Sequence, residues 1–297
     1  MGKSLNKFLT NSTFAKKTYR ILSVCLLAGV RPLKIKNKQM KTIFSLACAL
    51  LMLAPTALFT QTSDSLESKQ VSNQMNDRGL KTGHWTERSG EFTSTGIYLD
   101  GLKDGTWETY YSGNMISKLE TFAAGQMDGI QIQFDKKGKV TGIEHYTKNK
   151  LDGLALTYSP YSSQVLKEQR FRDWMLDGLY RSYYDNGKIQ EEAFYLHNQK
   201  NGPSKWFSRE GRLIAIYNYR DGQFEGYQRN FYENDTTSSL VNYVNNKMEG
   251  VYKEYYRNGK LKISGNYISG IKEGPWTEYD ETGKVISVIK YKNGVPK

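Results

Sequence analysis

The chain has 297 residues with 42 Lys+Arg against 30 Asp+Glu, and a net charge of +12 at first indicates a nucleic-acid or membrane-surface binder. The excess lies in residues 1–61, which hold ten of the basic residues and no acidic one. Because the rest carries 32 basic and 30 acidic residues, we predict no nucleic-acid partner. Cys25 and Cys48 both lie in that first segment, so disulfides and cysteine-ligated metal sites are excluded after it.

The first segment is predicted to be a leader. Met40 precedes an apolar run over 43–59, an arrangement typical of an export signal, and this run is short of the about 20 residues that a membrane span needs. The mature chain is therefore expected to be exported (periplasmic, outer-membrane-associated or extracellular) and to have no transmembrane span. The predicted divisions are 1–39 (gene-model extension or disordered leader), 40–61 (signal peptide), 62–80 (linker) and 81–297 (repeat domain).

Aromatic residues recur every twelve positions through the repeat domain, and glycines recur every 24 positions beside them. A fixed period of this size is the signature of a repeat architecture. Strand-forming residues at 251–256 and 261–268 flank the turn signal Asn258-Gly259, which indicates one two-stranded hairpin per repeat. The sequence therefore predicts an all-β fold, an elongated single-sheet meander of about nine tandem hairpin repeats of ~24 residues.

Two details of this sheet follow from the aromatic spacing. If the turn between hairpins centres on Glu273, Tyr267 lies opposite Tyr279, and equivalent pairs form a continuous ring ladder. The recurring acidic residue before each repeat glycine is then turn chemistry. Keeping the ladder on one face requires an odd number of residues in each hairpin turn. We therefore predict three-residue turns with glycine bulges at Gly113, Gly187 and Gly259.

A second set of aromatics lies two and six residues after the repeat glycines, and we expect it to face away from the ladder. Such a stripe could stack on sugar rings or anchor a protein partner. The alternative is that it packs on itself or on the curled sheet. These candidate ligand- or partner-binding residues are Trp85, Trp107, Tyr111, Tyr180, Tyr184, Tyr232, Tyr252, Tyr256 and Trp276.

Residues for catalysis or cofactor binding are not evident in the sequence. His84, His145 and His197 occupy different places in the repeat and lack metal-ligand spacing. No nucleophile elbow, phosphate-binding loop or dinucleotide fingerprint occurs. We therefore predict that the protein is not an enzyme and has no catalytic, metal or cofactor-binding residues.

The repeat unit resembles that of MORN-repeat proteins. The pattern is G-x-W/Y-x-x-Y/F-Y-x-x-G-x-L followed by an aromatic and an acidic residue with glycine, and it is best carried by 105–111 and 274–279. It is most similar to the bacterial MORN variant of antitoxin-like proteins and covers about residues 81–297. The resemblance implies hairpin repeats in an elongated, often curved sheet that makes protein or membrane-surface contacts. It implies no catalytic residues.

These observations favour an exported, non-enzymatic scaffold with a protein partner. One alternative is a glycan- or cell-envelope-binding module that uses the aromatic stripe. Another is an antitoxin-like inhibitor that binds a cognate toxin, although an export signal is not typical of a cytosolic antitoxin.

Overall fold

The computed structural model describes residues 72–297, all in the second of the two units into which the chain divides, Ser68–Lys297. The predicted segments 1–39 and 40–61, and the start of the predicted linker, lie outside the described residues. The sheet begins before the predicted boundary at residue 81, because Gln74 and Met75 pair with the strand that follows.

The all-β prediction is confirmed, since 24 strands form one open antiparallel sheet and strands close in sequence are hydrogen-bonded neighbours. Within residues 72–297, no helix long and apolar enough to cross a bilayer is present. The strands are β1 (Gln74–Met75), β2 (Lys81–Ser89), β3 (Phe92–Leu99), β4 (Leu102–Tyr110), β5 (Ile116–Ala123), β6 (Gln126–Met127), β7 (Gly129–Phe134), β8 (Val140–Thr147), β9 (Lys150–Leu151), β10 (Gly153–Tyr158), β11 (Val165–Arg172), β12 (Met175–Tyr183), β13 (Ile189–Leu196), β14 (Gln199–Lys200), β15 (Gly202–Phe207), β16 (Leu213–Arg220), β17 (Gln223–Phe224), β18 (Gly226–Phe231), β19 (Thr237–Val244), β20 (Lys247–Tyr255), β21 (Leu261–Ile268), β22 (Ile271–Tyr279), β23 (Val285–Lys292) and β24 (Val295–Pro296).

The turns at the hairpin tips, which together form the tip edge, are mostly three residues long. In β20–β21, Tyr256 N donates to Lys260 O, and Gly259 N donates back to Tyr256 O with φ at 82°. This confirms the glycine bulge predicted at Gly259, and Gly187 has the same geometry. The prediction at Gly113 is wrong by one residue. Asn114, at φ 62°, takes the equivalent position, which an asparagine tolerates.

The turns that join successive hairpins form the opposite border, which we call the link edge. Each has two residues with positive φ, such as Ser269-Gly270, and this geometry matches the twist of the flanking strands. The prediction that these turns centre on the acidic residue and repeat glycine is wrong, because Glu273 and Gly274 lie within β22. The carboxylate of Glu273 instead accepts a hydrogen bond from Asn293 N, at the start of the next link turn, at 2.7 Å.

The ring ladder is also not formed as predicted. Tyr267 pairs with Lys272, and the register then shifts by two residues before Ile263 meets Glu278, so Tyr279 never lies opposite Tyr267. The same relation holds in the first repeats, where Tyr98 pairs with Lys103. Each link turn therefore comes earlier in the chain than predicted: the turn Ser269-Gly270 begins two residues after Tyr267, and the prediction centred it on Glu273.

The aromatics of one hairpin lie on opposite faces of the sheet. Tyr267 pairs with Gly250 and therefore shares a face with Tyr252, whereas Tyr255 points to the other face. A second register shift between Glu254 and Tyr255 cancels the effect of the odd turn length. The result is two rows of rings, one on each face. We call the face that carries Trp85, Trp107 and Trp276 the indole face.

Candidate functional site

Five of the nine predicted binding residues pack within the indole face: Trp85, Trp107, Tyr180, Tyr252 and Trp276. Trp107 is 1% exposed and Trp276 is 7% exposed, and the others are half-buried. As predicted, the stripe faces away from the ladder residue of its own strand, since Tyr252 and Tyr255 point to opposite faces, but it shares its face with the return-strand aromatics, which the prediction did not foresee. Trp107 and Trp276 pack within the sheet, as the alternative interpretation held. Their rings contact the return-strand aromatics, with Trp107 5.1 Å from Tyr98 and Trp276 5.0 Å from Tyr267, both edge to face.

Glycines opposite the tryptophans make this burial possible. A Cβ atom on Gly96 would lie 2.4 Å from the Trp107 ring, and one on Gly265 would lie 2.2 Å from the Trp276 ring. Each indole therefore lies directly on the backbone of the neighbouring strand. Each is covered on its other side, since Lys103 Nζ lies 3.9 Å from the Trp107 ring centroid and Lys272 Nζ lies 4.1 Å from that of Trp276.

The remaining four predicted residues, Tyr111, Tyr184, Tyr232 and Tyr256, connect neighbouring hairpin tips. Each hydroxyl donates to the backbone carbonyl of a residue 23 positions later, for example Tyr256 to Tyr279 at 2.7 Å. Their rings also take part in cation–π contacts, such as Arg257 over Tyr232. All four are half-buried, so the nine residues form two structural groups, and the structure does not bring them together into one exposed site.

Carboxylates on the indole face hold phenols and lysines in place. Glu87 accepts hydrogen bonds from Lys81 at 2.5 Å and from Tyr98 at 3.0 Å. Burial raises the pKa of Glu87, but these bonds outweigh burial and leave that pKa below its usual value. Burial, followed by the Glu144 carboxylate, raises the pKa of Tyr146 to about 12. Each of these carboxylates is bonded to a side chain of the sheet itself, so the arrangement stabilises the fold.

The histidines serve local contacts. His145 Nδ1 lies 2.7 Å from the Leu154 carbonyl, and His197 Nε2 lies 4.0 Å from Asp177. Among residues 72–297, no group of three or more His, Cys, Asp or Glu side chains could hold a metal ion.

An open groove of about 500 Å³ lies near the tip edge of the first repeats. Phe92 and Tyr111 line it with ring centroids 5.6 Å apart, and Lys118, Gln133 and Asp135 supply polar groups. Sequence reasoning identified only Tyr111 of this set.

Exposed aliphatic side chains lie directly beside several link turns of the described sheet. Leu99 pairs with Leu102 and Ile268 pairs with Ile271 directly beside two link turns, and all four are exposed. Leu196 and Val244 occupy the equivalent place in other repeats and are also exposed. The sequence did not predict these exposed side chains, because their place at the link edge depends on the position of the link turns.

The family model for the MORN repeat variant matches the chain at three places, residues 176–197, 248–269 and 272–293. These three segments are MORN-variant repeats. Each match begins two positions before a repeat glycine and ends at the first residue of a link turn. It therefore corresponds to one hairpin with its tip. The hairpins from β4–β5 to β18–β19 that lie outside the three matches have the same end-of-strand register shift, for example between Thr109 and Tyr110, whereas β2–β3 has none.

Other comparisons add little to the MORN assignment. The comparison with curated proteins gave no match. A solved structure of the Tc holotoxin pore of Photorhabdus luminescens is similar at 12% identity, with a TM-score of 0.16. The alignment covers 74% of this chain and 13% of that one, so this chain spans a small part of the toxin chain's length. A likeness at that score carries no argument about this protein.

Proposed function

We propose that the protein is an exported, non-enzymatic scaffold that binds a protein partner along the link edge. MORN repeats are commonly protein or membrane interaction modules. The observation that carries the proposal is the set of exposed aliphatic side chains beside several link turns, from the pair Leu99 and Leu102 to the pair Ile268 and Ile271, in a sheet whose Trp107 and Trp276 rings are buried. Recurrent exposed apolar side chains at one edge are typical of a protein-binding surface.

The tip edge is less suited to this role. Its turns are joined to one another by hydrogen bonds from side chains to the next tip, such as Asn258 Nδ2 to the Glu281 carbonyl and Lys260 Nζ to the Thr282 carbonyl. Polar groups that are already bonded offer less to a partner than free apolar side chains do.

A pull-down with the full chain tests the scaffold. The double variant Ile268→Asp with Ile271→Asp changes two exposed link-edge residues, and Tyr161→Asp changes a tip residue that is 92% exposed. We expect a partner retained by the wild type to be lost at least tenfold with the link-edge variant, because a charge replaces apolar contact, and to be kept by the tip variant. Equal retention by all three proteins would contradict the proposal.

Export is tested separately by cell fractionation and by mass spectrometry of the mature N-terminus. Cleavage near Gln61 supports the predicted signal peptide. An unprocessed chain found only in the cytosol would instead favour the antitoxin-like role, in which the protein partner is a cognate toxin.

The groove beside Tyr111 favours glycan binding as a second candidate function. Aromatic walls with nearby polar groups suit a sugar ring, which stacks on the ring and donates hydrogen bonds around it. A glycan array with the wild type and Phe92→Ala tests this role, and binding that survives the loss of the Phe92 ring would argue against the groove. A glycan site on Trp107 or Trp276 is not supported, because both indoles are buried.

A further inference from the structure

One link turn breaks the pattern of all the others in the described sheet. Its second residue is Trp174, which has a positive φ of 69°. At the same turn position the other links have only glycine or asparagine, residues that adopt this conformation at little cost. These equivalent residues are Gly101, Gly125, Asn149, Asn198, Gly222, Asn246, Gly270 and Gly294.

The fold itself would be better served by asparagine at this position. Asn149 N donates to Met127 O at 2.8 Å, and its side-chain Oδ1 accepts from Met127 N at 2.7 Å. Asn198 makes the same pair of bonds with Leu176. Trp174 keeps the backbone bond, to Leu151 O at 2.9 Å, but an indole has no acceptor with which to make the second one. A strained residue that gives up a recurrent hydrogen bond indicates a use outside the fold.

The Trp174 ring is exposed and held in place. Its side chain is 55% exposed, and its ring meets the edge of Tyr146 at 5.7 Å with an interplanar angle of 77°. A rigid, half-covered indole loses little conformational entropy on binding and offers a large apolar surface, which is why tryptophan is common at binding hot spots.

Two exposed basic residues lie near this indole along the link edge. Lys148 lies exposed in the preceding link turn, and the Arg172 side chain, two residues before Trp174, is 70% exposed. The local acids are already engaged, because Asp173 is paired with Lys150 at 2.9 Å and Asp177 is only 10% exposed, beside Arg172. In the two link turns and the residues beside them, 147–150 and 172–174, the exposed charged residues are Lys148, Lys150, Arg172 and Asp173, so the exposed charge here is positive.

The exposed aromatic surface here is a single side chain, and Leu196, beside the following link turn, is the one exposed large apolar side chain next to either flanking turn. The flanking link turns, Lys148-Asn149 and His197-Asn198, are polar. A bilayer surface binds through several apolar or aromatic groups spread over its plane, whereas a protein pocket takes one anchor. The single indole with a basic rim fits the second case.

We propose that Trp174 anchors a docking site on the link edge for an acidic protein segment, whose apolar side chain packs on the indole while its carboxylates meet Lys148 and Arg172. This site rests on the scaffold function proposed above and names the chemistry of one partner. It deepens that function by placing the specific contact in one repeat.

Fluorescence anisotropy with the full chain tests the site. The probes are two labelled twelve-residue peptides with the same Leu-Phe centre, one flanked by Glu and one by Lys, and vesicles of phosphatidylglycerol form a third arm. The protein variants are Trp174→Asn, Arg172→Gln and, as a matched exposed aromatic, Tyr161→Asn. Melting temperatures are measured on the same samples.

We expect the acidic peptide to bind the wild type and Tyr161→Asn alike, and to bind Trp174→Asn about tenfold or more weakly. Arg172→Gln should weaken binding and flatten its salt dependence. Trp174→Asn should also melt about 2–4 °C higher, because asparagine relieves the strain and can restore the side-chain hydrogen bond. In Trp174→Asn the affinity for the peptide should fall while the melting temperature rises. Loss of a residue with a purely structural role would lower the melting temperature instead.

Three results would overturn the site: equal binding of both peptides, unchanged peptide affinity in Trp174→Asn, or a lower melting temperature in that variant. Trp174-dependent binding to vesicles without peptide binding would assign the indole to a membrane instead. A pulled-down partner that depends on Ile268 and Ile271 but is indifferent to Trp174 would keep the scaffold and remove only this site.

Discussion

At the residue scale, two tryptophans pack directly on a glycine of the neighbouring strand. Trp107 lies on Gly96 and Trp276 lies on Gly265, where there is no space for a methyl group. Neither glycine has a positive φ, so the backbone conformation would allow a side chain there. Glycine is required because the tryptophan ring occupies the space that a side chain would take. A short side chain on one strand thus determines how deeply the indole on its neighbour is buried.

Substitution of this glycine should be costly. We expect Gly265→Ala to lower the free energy of unfolding by about 1–3 kcal/mol, because the new Cβ would overlap the Trp276 ring and displace it. Gly142→Ala is the matched control, since a Cβ there would lie no closer than 3.6 Å to a neighbouring atom. Urea unfolding of both variants measures the difference, and equal stabilities would show that the ring yields without cost.

At the element scale, neighbouring hairpins are joined at both ends by bonds that recur with the repeat. On the tip edge, tyrosine hydroxyls reach the next hairpin, as from Tyr232 to Tyr255 O. On the link edge, glutamate side chains accept hydrogen bonds from the turn 20 residues later, as Glu249 does from Ser269 N. A hairpin on its own is marginally stable, and these bonds add to the strand pairing that holds each one against its neighbour.

Removing one tip bond should have a modest effect. We expect Tyr256→Phe to lower the free energy of unfolding by about 0.5–1.5 kcal/mol, because the Tyr279 carbonyl loses the donor 2.7 Å away while the ring contacts remain. Tyr161→Phe serves as the control, since that side chain is exposed at a tip. Chemical denaturation compares the two, and a loss of similar size in both would mean that the bond contributes nothing.

At the scale of the whole sheet, half-buried tyrosines recur from repeat to repeat and share one electrostatic property. Burial, followed by nearby carboxylates, raises the pKa of Tyr146, Tyr183 and Tyr252 to about 12. The sheet therefore favours neutral phenols along much of its length, and removing their protons places charge beside carboxylates such as Glu144 and Glu168.

This property predicts alkaline unfolding. Because the pKa of each tyrosine is higher in the folded chain than the ordinary 10.0, the neutral form stabilises the fold fully below pH 10, and this stability is lost as the pH rises towards about 12. Tyrosinate absorbance at about 295 nm should lag behind that of the unfolded chain and then rise together with the loss of β circular dichroism. Titration of the Tyr146→Phe variant should show a smaller lag, and absorbance that follows the unfolded curve throughout would contradict the prediction.

The repeat, the hairpin and the all-β fold could be predicted because they depend on local spacing. Turn signals such as Asn258-Gly259 determine a hairpin tip from a few neighbouring residues. The tip of β10–β11 is one residue longer than that of β12–β13, because four residues separate Ser159 and Gln164, whose backbone groups are hydrogen-bonded, and three separate Tyr184 and Lys188. The site could not be predicted in the same way. Trp107 and Tyr111 belong to one periodic series in sequence, yet one is buried on a sheet face and the other joins two tips.

The sequence by itself determined that this is a tandem β-hairpin protein, since period and turn chemistry act over a few residues. Only the tertiary structure decided the register, because the one-residue shift between Glu254 and Tyr255 moves side chains from one face to the other, and the two-residue shift at Gly265 displaces the link turn, both without changing the period. Exposure follows from register. That is why Trp276 is covered while Trp174, in a turn that the spacing did not locate, is left open to a partner.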